Sequence, residues 1–303
     1  MAAAGHVPVM LDEVLALVDA TPGQTIVDCT AGAGGHLAAF AERVGPTGRV
    51  IALDRDPRAH QPDAAGGVAA RFADRVTLVQ APFSAVRVAL DEVGVERADA
   101  LFADLGVSSL QLDEPERGFS FRSDAPLDMR MDTTSGETAA ELIRRLDERE
   151  LADVIYLHGE EHKSRRIART LKREQPTTTA GLAEAVIHAV GDPRVARRGG
   201  GIHPATRTFQ ALRIAVNREL DELDELLAAL PSVLRPGGRA IVLSFHSLED
   251  RRVKLRFRSE GYTALTKRPQ VPSDAEMLRN PRARSAKLRA ALVDVVDAGR
   301  RAP

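Results

Sequence analysis

Apolar and polar positions alternate in blocks along the first hundred residues of the chain. Short apolar runs predict four strands, at residues 25–29, 49–53, 76–80 and 98–103. Amphipathic stretches predict helices over 7–20, from a turn near 35 to about 44, within 57–73 and at 83–93. Strands that alternate with helices of about ten residues are typical of βαβ units, so the pattern predicts a parallel sheet.

The pattern changes after residue 112. A polar, loop-like stretch follows, and a capping box at 134–137 predicts the start of a helix. Helical spacing then predominates, at residues 137–173, 177–190 and 205–230. The strand pattern resumes after a turn at 235–238, with candidate strands at 240–244, 262–267 and 287–296.

We therefore predict an α/β fold, a Rossmann-like doubly wound sheet interrupted by an inserted all-α domain. The expected boundaries give a first part of the sheet domain at 1–112, the helical insert at 113–207 and the second part at 208–303. With 44% hydrophobic and 28% charged residues, the chain has a globular composition, which excludes a disordered or collagen-like chain.

Three further observations predict a cytoplasmic location. No apolar run approaches the roughly 20 residues of a membrane span. The first residues, MAAAGHVPVMLDEVL, have neither the basic start nor the long apolar stretch of a signal peptide. The single cysteine, Cys29, excludes an internal disulfide and a cysteine-rich metal site. We expect no membrane and no metal among the partners.

The formal net charge of −1 conceals a gradient along the chain. Residues 1–112 carry a net charge of −6, residues 113–215 are neutral overall and residues 216–303 carry +5. The mean disfavours a nucleic-acid partner, whereas the segregation of charge indicates a polyanionic partner for the basic part.

A Gly-rich turn follows the first predicted strand and opens a helix, in TIVDCTAGAGGHLAAF (25–40). The second predicted strand ends in Asp54, 26 residues after Asp28. The glycines let a ligand approach the backbone at the helix N-terminus, and an acid at this spacing can bind both ribose hydroxyls of an adenosine. A Gly-rich turn alone is also compatible with a purely structural role, but the combination predicts a nucleoside cofactor.

The acids indicate which nucleoside cofactor the site suits. The turn G-A-G-G at 32–35 differs from G-x-G-x-x-G, and the chain has no Gly-Lys-Ser/Thr of a P-loop. Asp28, Asp54 and Asp104 each end a predicted strand, where an open α/β sheet binds its ligands. An acidic crevice repels a pyrophosphate and suits a cation, which favours S-adenosyl-L-methionine, with its sulfonium, its ammonium and no phosphate.

Asp104 begins the run DLGVSSLQ (104–111), where a methyltransferase places the groups that meet its nucleophile. The lone pair of a base's exocyclic amine is delocalised into the ring. Acceptors that hold its N–H groups let the nitrogen pyramidalise toward a methyl group. Asp104, Ser108 and Ser109 are therefore candidate catalytic residues on the substrate side, although either serine could serve only as a helix N-cap.

Seven runs of the sequence together resemble one family. The runs are HVPVMLDEVL (6–15), DCTAGAGGH (28–36), LDRDP (53–57), DLGVSSLQLDEPERGFSFRSDAPLDMRMD (104–132), HPATRTFQALRIAVNREL (203–220), LRPGGRAIVLSFHSLEDRRVK (234–254) and NPRARSAKLR (280–289). They occur in order over nearly the whole chain, and the chain resembles the MraW family, ribosomal RNA small subunit methyltransferase H. One departure is Lys163, where this family commonly has an aromatic residue.

The resemblance implies a class I S-adenosylmethionine-dependent methyltransferase fold with an inserted helical domain. It also implies N4-methylation of a cytosine in 16S rRNA, at the decoding centre of the small ribosomal subunit. The cofactor-binding residues that it implies are Gly34, Gly35, His36, Asp54, Phe83, Asp104 and Gln111. Phe83 fits physically, because an apolar ring can cover an adenine, although core packing would also explain it.

Basic and aromatic residues that we expect to contact RNA lie in three groups. They are Arg117, Phe119, Phe121, Arg122 and Arg130 after the fourth strand, Arg207 and Arg213 in the predicted helix at 205–230, and Arg251, Arg252, Arg282, Arg284 and Arg289 near the end. Contacts to phosphates position an RNA, while stacking and base-edge contacts select the base. His203 and His246 lack the spacing of a metal site, and the sequence leaves the oligomeric state, including a homodimer, open.

Two alternatives remain at this point. The chain could be a class I methyltransferase that acts on another nitrogen, in another RNA or in a protein. It could also be an RNA-binding assembly factor that has kept the fold without turnover. The intact acids and the Gly-rich turn argue against the second alternative.

Overall fold

The apolar runs of the sequence form the strands of a single sheet in the described part of the chain. The strands are β1 (Thr25–Asp28), β2 (Arg49–Asp54), β3 (Val76–Gln80), β4 (Ala98–Asp104), β5 (Leu234–Ser244), β6 (Tyr262–Ala264) and β7 (Lys287–Val293). Their order is β3-β2-β1-β4-β5-β7-β6. The first five strands are parallel, and β7 is antiparallel to both of its neighbours. The strand order reverses between β1 and β4, which creates a topological switch point there.

The helices follow the alternation that the sequence predicts. They are α1 (Leu11–Val18), α2 (Gly35–Val44), α3 (Ala65–Arg71), α4 (Val86–Glu92), α5 (Ser109–Asp113), α6 (Ala139–Arg145), α7 (Glu148–Gly159), α8 (Ser164–Glu174), α9 (Thr179–Val190), α10 (Thr206–Asn217), α11 (Glu219–Val233), α12 (Ser247–Arg256) and α13 (Asp274–Arg279). Within the described residues, none of these helices is long and apolar enough to cross a membrane.

The computed structural model describes residues 7–191 and 203–294. The chain divides into a sheet unit, built from residues up to Gly106 and from Leu220 onward, and a helical unit, Val107–Glu219. The sequence places these boundaries at 112 and 207 instead. The second boundary lies later because α10 buries Phe209 and Leu212 in the apolar core of the helical unit.

Both faces of the sheet are covered by helices. Successive residues of a strand, such as Ile26 and Val27, belong to two different apolar clusters. Residues of α1, α2 and α3 join one cluster, and residues of α4 and α11 join the other. A parallel sheet buried on both faces has this arrangement, so the predicted doubly wound α/β fold is confirmed.

The helical unit has its own core. Helices α6 to α10 contribute buried apolar residues to one cluster, and Leu127 and Met129 of the preceding loop join it. The loop is fixed by backbone contacts as well, since Pro126 forms a bridge with Thr178. The inserted all-α unit that the sequence predicts is therefore present.

Two helix predictions are wrong in detail. The predicted helix at 205–230 is two helices, α10 and α11, separated by Arg218 in the left-handed conformation (φ 51°). The capping box predicted at 134–137 lies four residues later, where Thr138 and Glu141 exchange hydrogen bonds at the start of α6. Thr134 lies in the preceding loop instead, where its amide and its hydroxyl donate to Asp132 Oδ1 at 2.9 and 2.6 Å.

The turn predicted at 235–238 is an irregularity inside β5. Ala98 of β4 pairs with Leu234, and Ala100 pairs with Arg239, so four residues are looped out between the two pairs. Gly237 has φ 78° there. The R-P-G-G sequence predicts a turn, and in the structure its backbone is locally excluded from the hydrogen-bond pairing of β4 and β5.

Candidate cofactor site

The Gly-rich turn between β1 and α2 is held against the end of β2. The Ala31 amide donates to the Leu53 carbonyl at 2.8 Å, and the Gly32 amide donates to Asp54 Oδ2 at 2.8 Å. Gly34 has φ 85°, and a Cβ on it would lie 2.6 Å from Val68 Cγ2. Only glycine satisfies both the backbone conformation and the close approach.

Asp54 both shapes this turn and stands at its edge. Its Oδ1 accepts from the Asp56 amide at 2.9 Å, while Oδ2 accepts from Gly32. Burial raises the pKa of Asp54 to about 6, against the opposing effect of these two hydrogen bonds. Each carboxylate oxygen has a second lone pair, so Asp54 can hold the turn and still accept from a ligand hydroxyl.

An N-terminal segment, residues 7–10, covers the other side of the turn. Pro8 packs so closely on Gly35 that a Cβ there would collide with the proline ring. His36 Nε2 lies 3.1 Å from the Val9 carbonyl oxygen. The Met10 amide donates to Glu276 Oε1 at 2.6 Å, which ties the segment to α13.

His36 is fixed by rings and by this segment. It is 8% exposed, and its ring centroid lies 4.7 Å from that of Phe102 on β4. Its Nδ1 lies 3.9 Å from Asp104 Oδ2. His36 therefore connects the start of α2 to the end of β4.

The carboxylates of Asp28 and Asp104 end β1 and β4, the two strands that flank the switch point. Thr30 connects them, because its amide donates to Asp28 Oδ1 at 3.1 Å and its hydroxyl oxygen accepts from the Asp104 amide at 2.8 Å. Asp28 is fully buried, whereas the side chain of Asp104 is 26% exposed. The chain turns away from β4 at Gly106, which has φ 92°.

Burial perturbs both of these carboxyl groups. It raises the pKa of Asp28 to about 7, and the nearby charge of Asp54 adds to the effect. It raises the pKa of Asp104 to about 8, with further contributions from the charges of Asp28 and Glu249. Like charges in a poorly solvated site disfavour ionisation, so this edge of the sheet suits a cationic ligand.

Phe83 begins a short 3-10 turn after β3. The last residue of that strand, Gln80, is the register partner of Asp54, which places Phe83 a few residues beyond the acidic edge. Its ring is partly buried and packs against the apolar cluster of the sheet unit. A ring at this position could cover an adenine. Its packing against the apolar cluster also explains the residue without a ligand.

The predicted residues Ser108, Ser109 and Gln111 belong to the helical unit. Ser108 is the N-cap of α5, and its hydroxyl oxygen accepts from the Gln111 amide at 3.3 Å. Gln111 Oε1 accepts from the Ser108 amide at 3.0 Å. Ser109 and Gln111 are buried. The capping role of Ser108 is thus visible, while catalytic or ligand-binding roles for the three residues stay predictions.

Several arginines expected to contact RNA have structural partners. Arg117 is buried and donates to the carbonyls of Arg130 and Met131, at 3.0 and 2.8 Å. Arg130 forms a two-point pair with Asp128, both contacts at 2.8 Å. Arg213 forms the same kind of pair with Glu219.

The aromatic residues of the helical unit are also engaged. Phe121 stacks on His203 with centroids 4.6 Å apart and meets Phe209 edge-on at 4.9 Å. Phe119 lies below the Arg117 guanidinium at 5.8 Å. Both phenylalanines are only partly buried against the helical core. Stacking on a base stays a prediction for them.

The remaining predicted arginines lie at the surface. Arg122, Arg251, Arg282 and Arg284 are exposed, and Arg207 is 46% exposed. By contrast, Arg252 pairs with Asp224 and the buried Arg289 pairs with Asp250. The exposure of this set is what phosphate contacts require.

Thr30 and Glu249 are two polar residues of this edge that the sequence analysis does not single out. Glu249 is buried, accepts from the Phe245 amide at 2.8 Å, and lies 3.1 Å from His246 Nε2. Thr30 lies inside the Gly-rich motif, and Glu249 lies in the run SFHSLEDR. Their residue types alone did not mark them, because their contacts depend on how the strand ends come together in the fold.

Comparisons with known proteins cover nearly the whole chain. Residues 3–293 match the sequence profile of the MraW methylase family. The chain is 53% identical over 291 residues to ribosomal RNA small subunit methyltransferase H of Sorangium cellulosum, covering 94% of this chain and 90% of that protein. The protein of the same name from Caulobacter vibrioides is 49% identical over 319 residues, with 96% of each covered. A solved structure of a putative rRNA-methylase from Clostridium thermocellum has a TM-score of 0.47 and 13% identity, covering 95% of this chain and 98% of that chain.

Proposed function

Because the chain belongs to the MraW methylase family, we propose that it methylates N4 of a cytosine in 16S rRNA, using S-adenosyl-L-methionine. The α/β sheet with its inserted helical unit is the class I methyltransferase fold expected from the sequence. The observation that carries the proposal is the acidic edge: three carboxylates end β1, β2 and β4 beside a Gly-rich turn. Relatives named for the small ribosomal subunit support the choice of rRNA.

The residues of the sheet unit fit S-adenosylmethionine. Asp54 has free lone pairs for the ribose hydroxyls, and the left-handed Gly34 lets the turn pack closely against Val68 beside it. Asp104 and Asp28 offer negative charge to a cation at the switch point. Phe83 is the residue proposed to cover the adenine.

When bound, the cofactor supplies an electrophilic methyl group on a sulfonium. Asp104, with a quarter of its side chain exposed, is the best candidate to accept a hydrogen bond from the amine N–H groups of the cytosine. The turn at Gly106 places backbone carbonyls next to it. Holding the amine in this way favours pyramidalisation of N4, and orientation at short range provides much of the rate.

The target base must leave its stack to reach the methyl group. The exposed arginines Arg251, Arg282 and Arg284 of the sheet unit and Arg122 and Arg207 of the helical unit are the candidates for phosphate contacts. A substrate in the small subunit, near its decoding centre, places the protein in the cytoplasm. Roles for Ser108, Ser109 and Gln111 stay part of the proposal.

Methyl transfer to purified small subunits tests this function. We expect labelled methyl from S-adenosylmethionine to appear in 16S rRNA, and nucleoside analysis to identify N4-methylcytidine. Label in another nucleoside would assign a different target nitrogen. Binding of subunits without any incorporation, under conditions where the cofactor binds, would favour an assembly factor without turnover.

A further inference from the structure

Two carboxylate oxygens at the switch point are buried without a hydrogen-bond partner among the described residues. They are Oδ2 of Asp28 and Oδ1 of Asp104. Asp28 as a whole is fully buried, so its free oxygen has no access to bulk solvent. An ionised carboxylate oxygen that is buried without a partner is strongly unfavourable, because it has lost its hydration without gaining a hydrogen bond. Each therefore requires a ligand or a proton.

The two carboxyl groups are held in a fixed relation. The strands that carry them are register neighbours, with Asp28 opposite Phe102, two residues before Asp104. Thr30 donates to Asp28 Oδ1 through its amide and accepts from the Asp104 amide through its hydroxyl. The Cys29 amide is tied to the Phe102 carbonyl at 2.8 Å. The pair cannot separate to relieve repulsion without breaking these contacts.

The charged and titratable groups around the pair are mostly acidic. Asp54 faces Asp28 from β2, and Glu249 faces Asp104 from α12. The Cys29 thiol lies beside Asp28, and its pKa is raised by burial. On the α2 side, His36 Nδ1 is 3.9 Å from Asp104 Oδ2.

We propose that the carboxyl pair of Asp28 and Asp104 retains one proton in the free protein, that Asp28 is a positioning residue for Asp104, and that a cationic group of the cofactor displaces this proton. The inference rests on the proposed function, because it takes S-adenosylmethionine as the cation. In the exchange, the O–H bond of the protonated carboxyl group breaks, the proton passes to solvent, and the carboxylate of Asp104, whose side chain is 26% exposed, pairs with the ligand's ammonium or sulfonium. No other bond changes.

Proton release on binding tests the proposal directly. S-adenosylmethionine is titrated calorimetrically into the full chain at pH 6.5, in two buffers of different ionisation enthalpy. We expect the apparent binding enthalpies in the two buffers to differ by the difference of the buffer ionisation enthalpies multiplied by about one released proton. We also expect the affinity to rise by up to about tenfold per pH unit between pH 5.5 and 7. Equal enthalpies in both buffers would overturn the proposal.

The variant Asp28→Asn tests whether the proton release depends on Asp28 or on another acid. The amide oxygen can still accept from Thr30, so the fold is retained, and the amide nitrogen imitates the protonated acid. We expect proton release to fall toward zero and the affinity to change by less than about threefold over the same pH range. Asp63→Asn, at an exposed acid of the neighbouring loop, should release protons like the parent. Unchanged release in Asp28→Asn contradicts the assignment.

Infrared difference spectra provide a readout that does not depend on turnover. Cofactor binding should remove the C=O band of a protonated carboxylic acid from the parent but not from Asp28→Asn. S-adenosylhomocysteine retains the ammonium and lacks the sulfonium, so release with both ligands assigns the ammonium, and release with S-adenosylmethionine alone assigns the sulfonium. If the parent binds neither ligand, the proposed function fails; if it binds without proton release, only this inference fails.

Discussion

Single carboxylates at the strand ends each perform more than one task. Asp54 accepts two backbone hydrogen bonds that shape the Gly-rich turn, and it has lone pairs left for a ribose. Asp104 is linked to Thr30 through its backbone and to His36 at 3.9 Å through its side chain. Changes at these residues therefore act on ligand binding and on folding, and measurements must separate the two.

Asp54→Ala removes the acceptor of the Gly32 amide and the proposed acceptor of the ribose hydroxyls. We expect S-adenosylmethionine to bind at least about tenfold more weakly, since a hydrogen bond to a charged group contributes about 1.5–3 kcal/mol. Isothermal titration measures the dissociation constant, and circular dichroism checks the fold. Asp63→Asn serves as the control, because that acid is 66% exposed and pairs with Arg58. An unchanged dissociation constant for Asp54→Ala would remove Asp54 from the site.

The pH dependence of stability should differ between the parent and Asp104→Asn. The folded pKa of Asp104 is about 8, above its ordinary value of 3.8, so the folded state binds a proton that the unfolded state has lost. This stabilisation is complete below about pH 4 and disappears as the pH rises to about 8. Urea unfolding of the ligand-free proteins should show Asp104→Asn gaining roughly 3–4 kcal/mol relative to the parent between pH 5 and pH 8. A constant difference across this range would mean that Asp104 is ionised throughout.

At the scale of elements, the sheet was the most predictable part. Four of the parallel strands agree with the apolar runs to within a residue, because a strand buried on both faces is apolar throughout. The helix boundaries were less predictable. Nothing in the 205–230 periodicity marks the left-handed Arg218, and two Thr-x-x-Glu-like signals compete at 134–141. In the structure Thr138 and Glu141 form the capping box. The hydroxyls of Thr134 and Ser135 donate to Asp132 instead.

Glycine in the cofactor turn should be required for two distinct reasons, and a matched variant separates them. Gly34→Ala and Gly136→Ala both place a side chain at a φ near 80°, at a cost of about 1–2 kcal/mol. Only Gly34 faces Val68; around Gly136 there is nothing within 4 Å. Urea unfolding should show Gly34→Ala losing at least about 1 kcal/mol more than Gly136→Ala. Equal losses of unfolding free energy in the two variants would mean that the Val68 side chain moves away from the new methyl group at no cost in stability.

At the scale of the whole molecule, charge and structure together identify the RNA-binding candidates. The sequence alone predicts a basic C-terminal part, because the charges can be counted along that segment. It also predicts the three acids, because each follows an apolar run that predicts a strand. It could not separate Arg117 and Arg289, which are buried in internal contacts, from Arg282 and Arg284, which are exposed. The residues with which an arginine side chain pairs come from distant parts of the sequence, so the sequence pattern does not reveal which arginines are paired.

Arg282→Ala and Arg284→Ala should weaken binding to small subunits in a salt-dependent way. If each contacts a phosphate, each variant reduces the slope of log affinity against log salt by about 1, because one fewer counterion is released. Binding measured by fluorescence anisotropy over a range of KCl concentrations checks this. Arg49→Ala is the control, since Arg49 is exposed at the opposite, amino end of β2. An unaltered slope in both variants would exclude these arginines from phosphate contacts.

The N-terminal segment that packs on Gly35 and His36 has a consequence for how the protein matures. Met10 is anchored to Glu276, 266 positions away in the sequence, and Val7 is held by Asn280. Such distant contacts have a high loop-closure entropy and slow folding. During synthesis the contacts from Glu276 and Asn280 that anchor this segment can form only after residue 280 has left the ribosome. The local contacts of Pro8 and Val9 with the turn can form much earlier, so the anchoring of the segment is a late event of translation.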